Sequence, residues 1–216
     1  MEALSDKNIE IFVRNVPETT EILAKKCVGI AGCGGLGSNA AISLVRAGVG
    51  NVILVDFDKV EPSNLNRQHF FKYDIGKYKV EALSEHLKSI NPDVKIFKYN
   101  QKLIAENVKE ILGFSDILIE AFDKAESKKM LINSWCKHFP RKPIICGNGV
   151  SGIGKTSELK IIKTGNIFFC GDGKSDMSIG LCSARIAIVA NMEANIALEL
   201  LIYGDLRSRL QQMIIK

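Results

Sequence analysis

The 216-residue sequence predicts an α/β fold: a mostly parallel sheet with helices on both faces and a short antiparallel extension. Three observations predict it. Four short apolar runs, Cys27 to Ala31, Asn51 to Val55, Ile117 to Phe122 and Pro143 to Cys146, read as strands buried on both faces. Segments of helical period alternate with these runs. A glycine-rich turn joins the first run to the first helix, and the second strand follows, which is the order of a βαβ unit.

Taken in order, residues from about Ile9 to Lys26 read as a helical lead-in of two short helices broken at Pro17. Ser38 to Ala47 is a helix stopped by Gly48. Lys77 to Ile90 carries Val80, Leu83, Leu87 and Ile90 on one stripe and stops at Asn91-Pro92. Lys95 to Tyr99 alternates as a strand, Ala105 to Leu112 is a helix ended by Gly113, and Ala125 to His138 is another helix. Beyond Cys146 the texture changes. Leu159 to Ile162 and Ile167 to Phe169 read as antiparallel strands, and Gly171 to Gly180 as a polar, glycine-rich loop. Ser183 to Tyr203 is a long helix whose apolar face carries Ile186, Val189, Ala190, Ile196, Ala197 and Leu200.

Composition narrows the function classes. Apolar residues make up 46%, enough to build a sizeable core, and the 25% of charged residues form no long biased stretch, which argues against disorder. The net charge of +5 is scattered over pairs such as Lys25-Lys26, Lys128-Lys129 and Arg141-Lys142. No aromatic-interleaved basic face results, so no nucleic-acid partner is expected. The balance suits an anionic substrate or an acidic protein partner. The six cysteines form no C-x-x-C pair, so no zinc site is expected and reduced thiols are the simpler reading. The first residues lack the basic and apolar regions of a secretory signal, and no apolar run reads as a membrane span. A cytoplasmic protein is expected.

The chemistry lies in three motifs. Gly32-Cys33-Gly34-Gly35-Leu36-Gly37 has the form G-x-G-x-x-G, follows a strand and opens a helix. Gly32 allows the tight turn, Gly34 and Gly35 let backbone N–H groups approach a phosphate or ribose, and Gly37 permits close helix packing, with the helix N-terminus favouring an anion. Asp56 ends the next strand, where a carboxylate can accept from ribose hydroxyls. These two motifs define a Rossmann-like nucleotide site without choosing between NAD and ATP. The run Asp56-Phe57-Asp58-Lys59-Val60-Glu61-Pro62-Ser63-Asn64-Leu65-Asn66-Arg67-Gln68 chooses. Ser63, Asn64 and Arg67 gather hydroxyl, amide and guanidinium donors just past the ribose position, which suits a triphosphate attacked at its α-phosphorus.

The D-F-D-x-V-x-x-S-N-L-x-R-Q run after G-x-G-G-x-G resembles the ThiF/MoeB/HesA family, relatives of the ubiquitin-activating enzymes. The resemblance runs from about Val28 to Val150 and resumes in the last long helix. It implies an enzyme that binds ATP and Mg²⁺ and joins AMP to the C-terminal Gly-Gly of a ubiquitin-like carrier. Residues 1–26 would be the lead-in and 27–216 a single ThiF-like ATP-binding domain. Carried over by position, Gly35 and Asp56, with Asp58 beside it, would hold the adenosine, and Ser63, Asn64, Arg67 and Gln68 would line the phosphates. Gly76-Lys77-Tyr78-Lys79 matches the family's G-x-x-K, which makes Lys79 the phosphate lysine. Asp123 matches the metal-associated aspartate. Arg67, Lys79 and Asp123 are thus the expected catalytic set. The family also implies a homodimer in which an N-terminal arginine, here Arg14, reaches the partner's ATP.

The short chain without zinc cysteine pairs looks like the ThiF subfamily that serves thiamine-pathway sulfur carriers. Cys170 and Cys182 flank the glycine-rich loop and are candidate sulfur-handling nucleophiles, although a buried or incidental role is the simpler reading of each. His69 and His138 receive no role. Gly149-Val150-Ser151-Gly152-Ile153-Gly154-Lys155-Thr156 fits the P-loop pattern, but the β-branched, alternating residues after it predict a strand where a P-loop needs a helix. Its glycines are expected to form a flexible connection. Competing readings are an NAD(P)-dependent oxidoreductase, a non-catalytic module that binds a ubiquitin-like tail, and an adenylyltransferase acting on a molybdopterin-type carrier. A further one is a carrier-independent adenylyltransferase, such as one that cyclises a small carboxylate on a nucleic acid.

Overall fold

The computed structural model describes residues 10–206, so residues 1–9 of the lead-in and 207–216 lie outside the described residues. Strands β1 (Cys27–Ala31), β2 (Asn51–Val55), β3 (Lys95–Tyr99), β4 (Ile117–Glu120), β5 (Ile144–Gly147), β6 (Lys160–Thr164) and β7 (Ile167–Gly171) form one sheet. Its order is β3-β2-β1-β4-β5-β7-β6. Neighbours are parallel throughout except β6 and β7, which pair antiparallel from Lys160↔Gly171 to Thr164↔Ile167. The extension therefore grows directly on the parallel sheet, through the β5–β7 register of Ile144↔Ile167 to Gly147↔Cys170. Strand order reverses between β1 and β4, which opens the crevice at their carboxyl ends where open α/β sheets bind ligands.

Among the described residues six α-helices cover the sheet: α1 (Thr19–Leu23), α2 (Gly35–Arg46), α3 (Lys79–Ile90), α4 (Val108–Leu112), α5 (Ala125–His138) and α6 (Ser183–Tyr203). Successive strand residues point to opposite faces. Val28, Ile30, Val52, Leu54, Ile117 and Ile119 accordingly join the core under α2, α3 and α6. Ala31, Ile53, Val55, Leu118, Ile144 and Cys146 join the one under α4 and α5, where Trp135 is fully buried. The edge strand β3 exposes Lys95 and Lys98, charges that discourage further strand pairing.

Several boundaries differ from the expected ones. Helix α2 begins at Gly35 rather than Ser38, because glycines carry no side-chain period to reveal the first turn. Helix α3 begins at Lys79 rather than Lys77, because Lys77 and Tyr78 are drawn into backbone pairing with Lys59 and Val60. Helix α4 begins only at Val108: the Asn107 side chain accepts from Ile104 N at 2.9 Å and donates to Lys102 O, closing a turn where helix was expected. Strand β4 ends at Glu120, three residues before Asp123. A single 3₁₀ turn, Met177–Ile179, stands in the loop predicted for 171–180. Helix α6 corrects the expectation that no run reaches membrane-spanning length, since it is long and apolar enough by length and composition alone. Its apolarity is accounted for by packing: half of that stretch is buried, against α2 and the sheet. It ends at Gly204 in the left-handed region.

Candidate active site

The glycine turn is shaped by two close approaches. Gly32 has φ +96°, and a Cβ there would lie 2.8 Å from Ala121 O. A Cβ on Gly37 would stand 1.8 Å from Gly32 O, so only glycine lets the first turn of α2 close over the end of β1. Gly34 and Gly35 lie between them. The turn is pinned from β2: Gly32 N donates to Val55 O at 2.8 Å, and Cys33 N to Asp56 Oδ2 at 2.6 Å. Asp56 Oδ1 accepts from Asp58 N at 2.8 Å. Burial pushes the Asp56 carboxyl above its ordinary value, against the pull of Lys79 and of the two N–H donors. Asp56 is thus a structural partner of the glycine turn as well as the expected ribose acceptor.

Lys79 opens α3 with its side chain buried rather than waving in solvent. Its Nζ lies 2.9 Å from Asp58 Oδ2, and its backbone N donates to Asp58 O. Asp56, Asp58 and Lys79 therefore form one charged group beside the glycines. Arg67 approaches from the other side, its Cγ 3.7 Å from where a Cβ on Gly35 would be. Its Nη1 donates to Ser63 O at 3.0 Å and to Asn66 Oδ1 at 2.8 Å, and its own carbonyl accepts from Asn39 Nδ2. Ser63 is exposed. Asn64 is buried, with its amide oxygen capping Glu61 N at 3.1 Å, so it shapes the 3₁₀ turn Pro62–Asn64 that presents Ser63 and Arg67. Gln68 is also buried. Its Nε2 stands 3.8 Å from a Cβ position on Gly34, and its Oε1 has no hydrogen-bond partner among the described residues, an unspent acceptor at the glycine turn.

Asp123 is exposed in the β4–α5 turn and does not cap α5, whose N-cap is Lys124. That turn abuts the glycine turn through Ala121 O and Gly32. It is held by Glu120, fully buried at the end of β4. Glu120 Oε1 accepts from Phe122 N at 2.9 Å, and Oε2 pairs with Lys128 of α5. Burial raises the Glu120 carboxyl while Lys128 opposes the rise. Among the described residues no three His, Cys, Asp or Glu side chains converge to hold a metal. A single carboxylate together with substrate phosphates is nevertheless the usual Mg²⁺ arrangement, and Asp123 fits it.

Sequence reasoning missed Glu120, Lys128, the Asp172–Arg185 pair and Glu193. Glu193 alone left a signal, a carboxylate at a core-facing position of α6. Cys170 is fully buried and burial drives its thiol far up, while Cys182 is half-buried at the N-cap of α6. His69 packs edge-on to Phe71 and His86, and His86 in turn meets Asp74 at 3.1 Å. The P-loop pattern opens no α-helix: Lys155 is left-handed at φ 49°, one 3₁₀ turn Thr156–Glu158 follows, and then β6. The expected flexible connection is instead tied down, since Arg185 Nη1 donates to Gly154 O at 2.5 Å. Lys155→Ala is expected to leave ATP turnover within a few-fold of wild type. A loss matching that of Arg67→Ala would make Lys155 a phosphate ligand.

Comparison with known proteins places this geometry. Ubiquitin-like modifier-activating enzyme 5 of Drosophila ananassae is 31% identical over 203 residues, 83% of this chain and 50% of that protein. Adenylyltransferase and sulfurtransferase UBA4 of Meyerozyma guilliermondii is 33% identical over 141 residues, 64% of this chain and 33% of that protein. The chain spans about half the length of the ubiquitin-like modifier-activating enzymes it matches. Among solved structures, E. coli tRNA N6-threonylcarbamoyladenosine dehydratase, TcdA, superposes with TM-score 0.86 at 20% identity, covering 94% of this chain and 98% of that one. E. coli MccB with ATP gives 0.67 at 20% identity, covering 85% and 57%. These structural likenesses establish the shared fold. Residues 7–213 match the ThiF family, and the chain belongs to that family.

Proposed function

We propose that this chain is an ATP-dependent adenylyltransferase that activates the C-terminal Gly-Gly carboxylate of a ubiquitin-like sulfur-carrier protein, ThiS-like and serving thiamine biosynthesis. The single observation that carries the reading is the cluster at the carboxyl edge: a glycine turn with the unspent Gln68 acceptor, the Asp56–Asp58–Lys79 group, and Arg67 against Gly35. Relatives named as ubiquitin-like modifier-activating and as adenylyltransferase and sulfurtransferase support it, as do ATP and AMP complexes within the shared fold.

The substrate carboxylate is ionised at neutral pH and needs no general base. One of its oxygens attacks the α-phosphorus of ATP. The bond from that phosphorus to the bridging oxygen breaks, and pyrophosphate leaves with the bonding pair. Gly34 and Gly35 would offer backbone N–H groups, and Asp56 would accept from the ribose. Ser63, Arg67, Gln68 and Lys79 would face the phosphates, Ser63 and the Gln68 amide nitrogen as neutral donors and Arg67 and Lys79 with their charge aimed at what develops on the leaving group. Asp123 would hold Mg²⁺, which when bound adds positive charge at the pyrophosphate. The enzyme works as a cytoplasmic homodimer. In it, the exposed Arg14 reaches the partner's ATP and the exposed Ile11, Val13 and Val16 give the lead-in an apolar face to bury.

The test is exchange of labelled pyrophosphate into ATP with purified carriers ending in Gly-Gly. Exchange is expected only with a carrier whose terminal glycine is free, and carriers with the tail removed should give none. A second reading, a carrier-independent adenylyltransferase acting on a nucleic acid, has one observation in its favour, the superposition on TcdA with TM-score 0.86 over 94% of this chain. Exchange stimulated by threonylcarbamoylated tRNA and by no carrier would establish that reading instead.

A further inference from the structure

Between β5 and α6 the chain leaves the carboxyl edge at Asn148, forms the β6–β7 hairpin, and returns to the same edge at Asp172. The outgoing arm, 148–154, and the returning arm, 172–182, are laced together. Asp172 N donates to Gly149 O and Gly173 N to Asn148 O at 3.0 Å each, Gly152 N to Gly180 O at 2.8 Å, and Ser151 N to Ser175 Oγ at 3.1 Å. One ion pair locks the lacing. Arg185, in the first turn of α6, is 4% exposed and Asp172 is 6% exposed. Arg185 Nη2 donates to Asp172 Oδ2 at 2.5 Å while Nη1 donates to Gly154 O on the other arm. Asp172 Oδ1 accepts from Lys174 N and Ser175 N at 2.8 Å each. Burial alone would raise the Asp172 carboxyl, but these donors together hold it down at about 2, so the lock is charged across the whole neutral range.

A buried ion pair of this kind adds little net stability over an apolar pair of the same volume, so its account is geometric. Two features say what geometry it keeps. Ile186, next to Arg185, stands 3.1 Å from a Cβ position on Gly35, so the lock is seated against the glycine turn. The two arms, which extend from the carboxyl ends of β5 and β7, also hold apolar side chains out into solvent, with Ile153 82% exposed and Ile179 63% exposed and packed on Gly152. The arms thus form a preset rim at the edge where a carboxylate must approach the α-phosphorus.

We propose that Arg185 is a positioning residue for the acyl substrate: with Asp172 it fixes the two arms as one rim before that substrate arrives. The inference rests on the adenylyltransferase reading above. Ordering the rim in advance removes its entropy cost from the binding step, so loss of the lock raises the KM for the acyl substrate more than it changes the KM for ATP.

The discriminating variant is Asp172→Asn/Arg185→Met. Asparagine keeps an acceptor for Lys174 N and Ser175 N, and methionine fills the volume without leaving an unpaired charge, so the fold is retained. Arg185→Met alone serves as the unpaired control. Two readouts are taken on the full chain. Amide hydrogen exchange of residues 149–156 should quicken at least tenfold in the double variant, while β1 and β2 stay protected. In pyrophosphate exchange with a Gly-Gly carrier, the carrier KM should rise about tenfold or more while the ATP KM stays within about twofold. Unchanged protection of 149–156, an unchanged carrier KM, or equal rises in both KM values overturns the proposal. A wild-type enzyme inert toward every carrier overturns the preceding reading instead, and hydrogen exchange then still decides whether the lock orders the rim.

Discussion

Arg67→Ala and Asp123→Ala are each expected to lower carrier-dependent pyrophosphate exchange by on the order of a hundredfold or more, the scale of deleting one transition-state contact. Each side chain is positioned by the fold without holding it together. Arg67 is fixed through Nη1 to Ser63 O and Asn66 Oδ1, and Asp123 is an exposed residue in a turn already closed by Glu120 and Lys128. Melting temperatures of both variants should therefore stay within a few degrees of wild type. Lys79→Ala is a poorer probe, because removing a buried cation strips Asp58 and Asp56 of their partner and mixes stability with chemistry. Raising Mg²⁺ should recover part of the Asp123→Ala loss and none of the Arg67→Ala loss, since only the first removes the carboxylate proposed to hold the metal. Folded variants that both exchange at the wild-type rate would remove these two residues from the site.

What the sequence made legible follows from how local each signal is. Strands β1 and β2 show as unbroken apolar runs because both of their faces are buried, and the glycine turn shows because its six residues are contiguous. Asp56 follows from strand length alone. The first turn of α2 carries no readable pattern because Gly35 and Gly37 have no side chains, and α4 is shorter than its apolar period because Asn107 spends its side chain on a turn. Lys79 could be named only through a family motif. Its burial depends on Asp58, 21 positions earlier, and no period links the two. Asn64 carries the right residue type for a phosphate donor, but the sequence does not show that its side-chain oxygen caps Glu61 N while its donor Nδ2 lies toward Ser63 Oγ. The Asp172–Arg185 lock joins a strand end to a helix start across a loop, and composition cannot show which surface residues a loop will bury. Glu193 was the missed opportunity. It lies at helical spacing from Val189, Ala190, Ile196 and Ala197, so the pattern puts it in the core.

Glu193 should also make stability depend on pH with a sign opposite to that of an ordinary paired carboxylate. It is fully buried, and neither carboxyl oxygen has a hydrogen-bond partner among the described residues. Its Oε1 lies 3.0 Å from a Cβ position on Gly147, and the charged and titratable groups around it are Lys128, Glu120, Cys146 and Cys170. Burial drives its carboxyl well above the ordinary value, with Lys128 pulling it down and Glu120 pushing it up. The folded state therefore keeps a proton that the unfolded chain releases above pH ~4.3. Stability falls as pH rises from there, by about 1.4 kcal/mol per pH unit, until the folded-state carboxyl itself ionises. Glu193→Gln has no such proton to lose. Urea unfolding at pH 5, 6, 7 and 8 should show its stability gaining on wild type as pH rises, the gain levelling off only once the folded-state carboxyl ionises. Glu193→Met, which also removes the unsatisfied polar atoms, should gain by the same increments from a higher starting point. A difference between Glu193→Gln and wild type that stays flat from pH 5 to pH 8 would mean that Glu193 is ionised in the folded protein, held by Lys128 as Glu120 is.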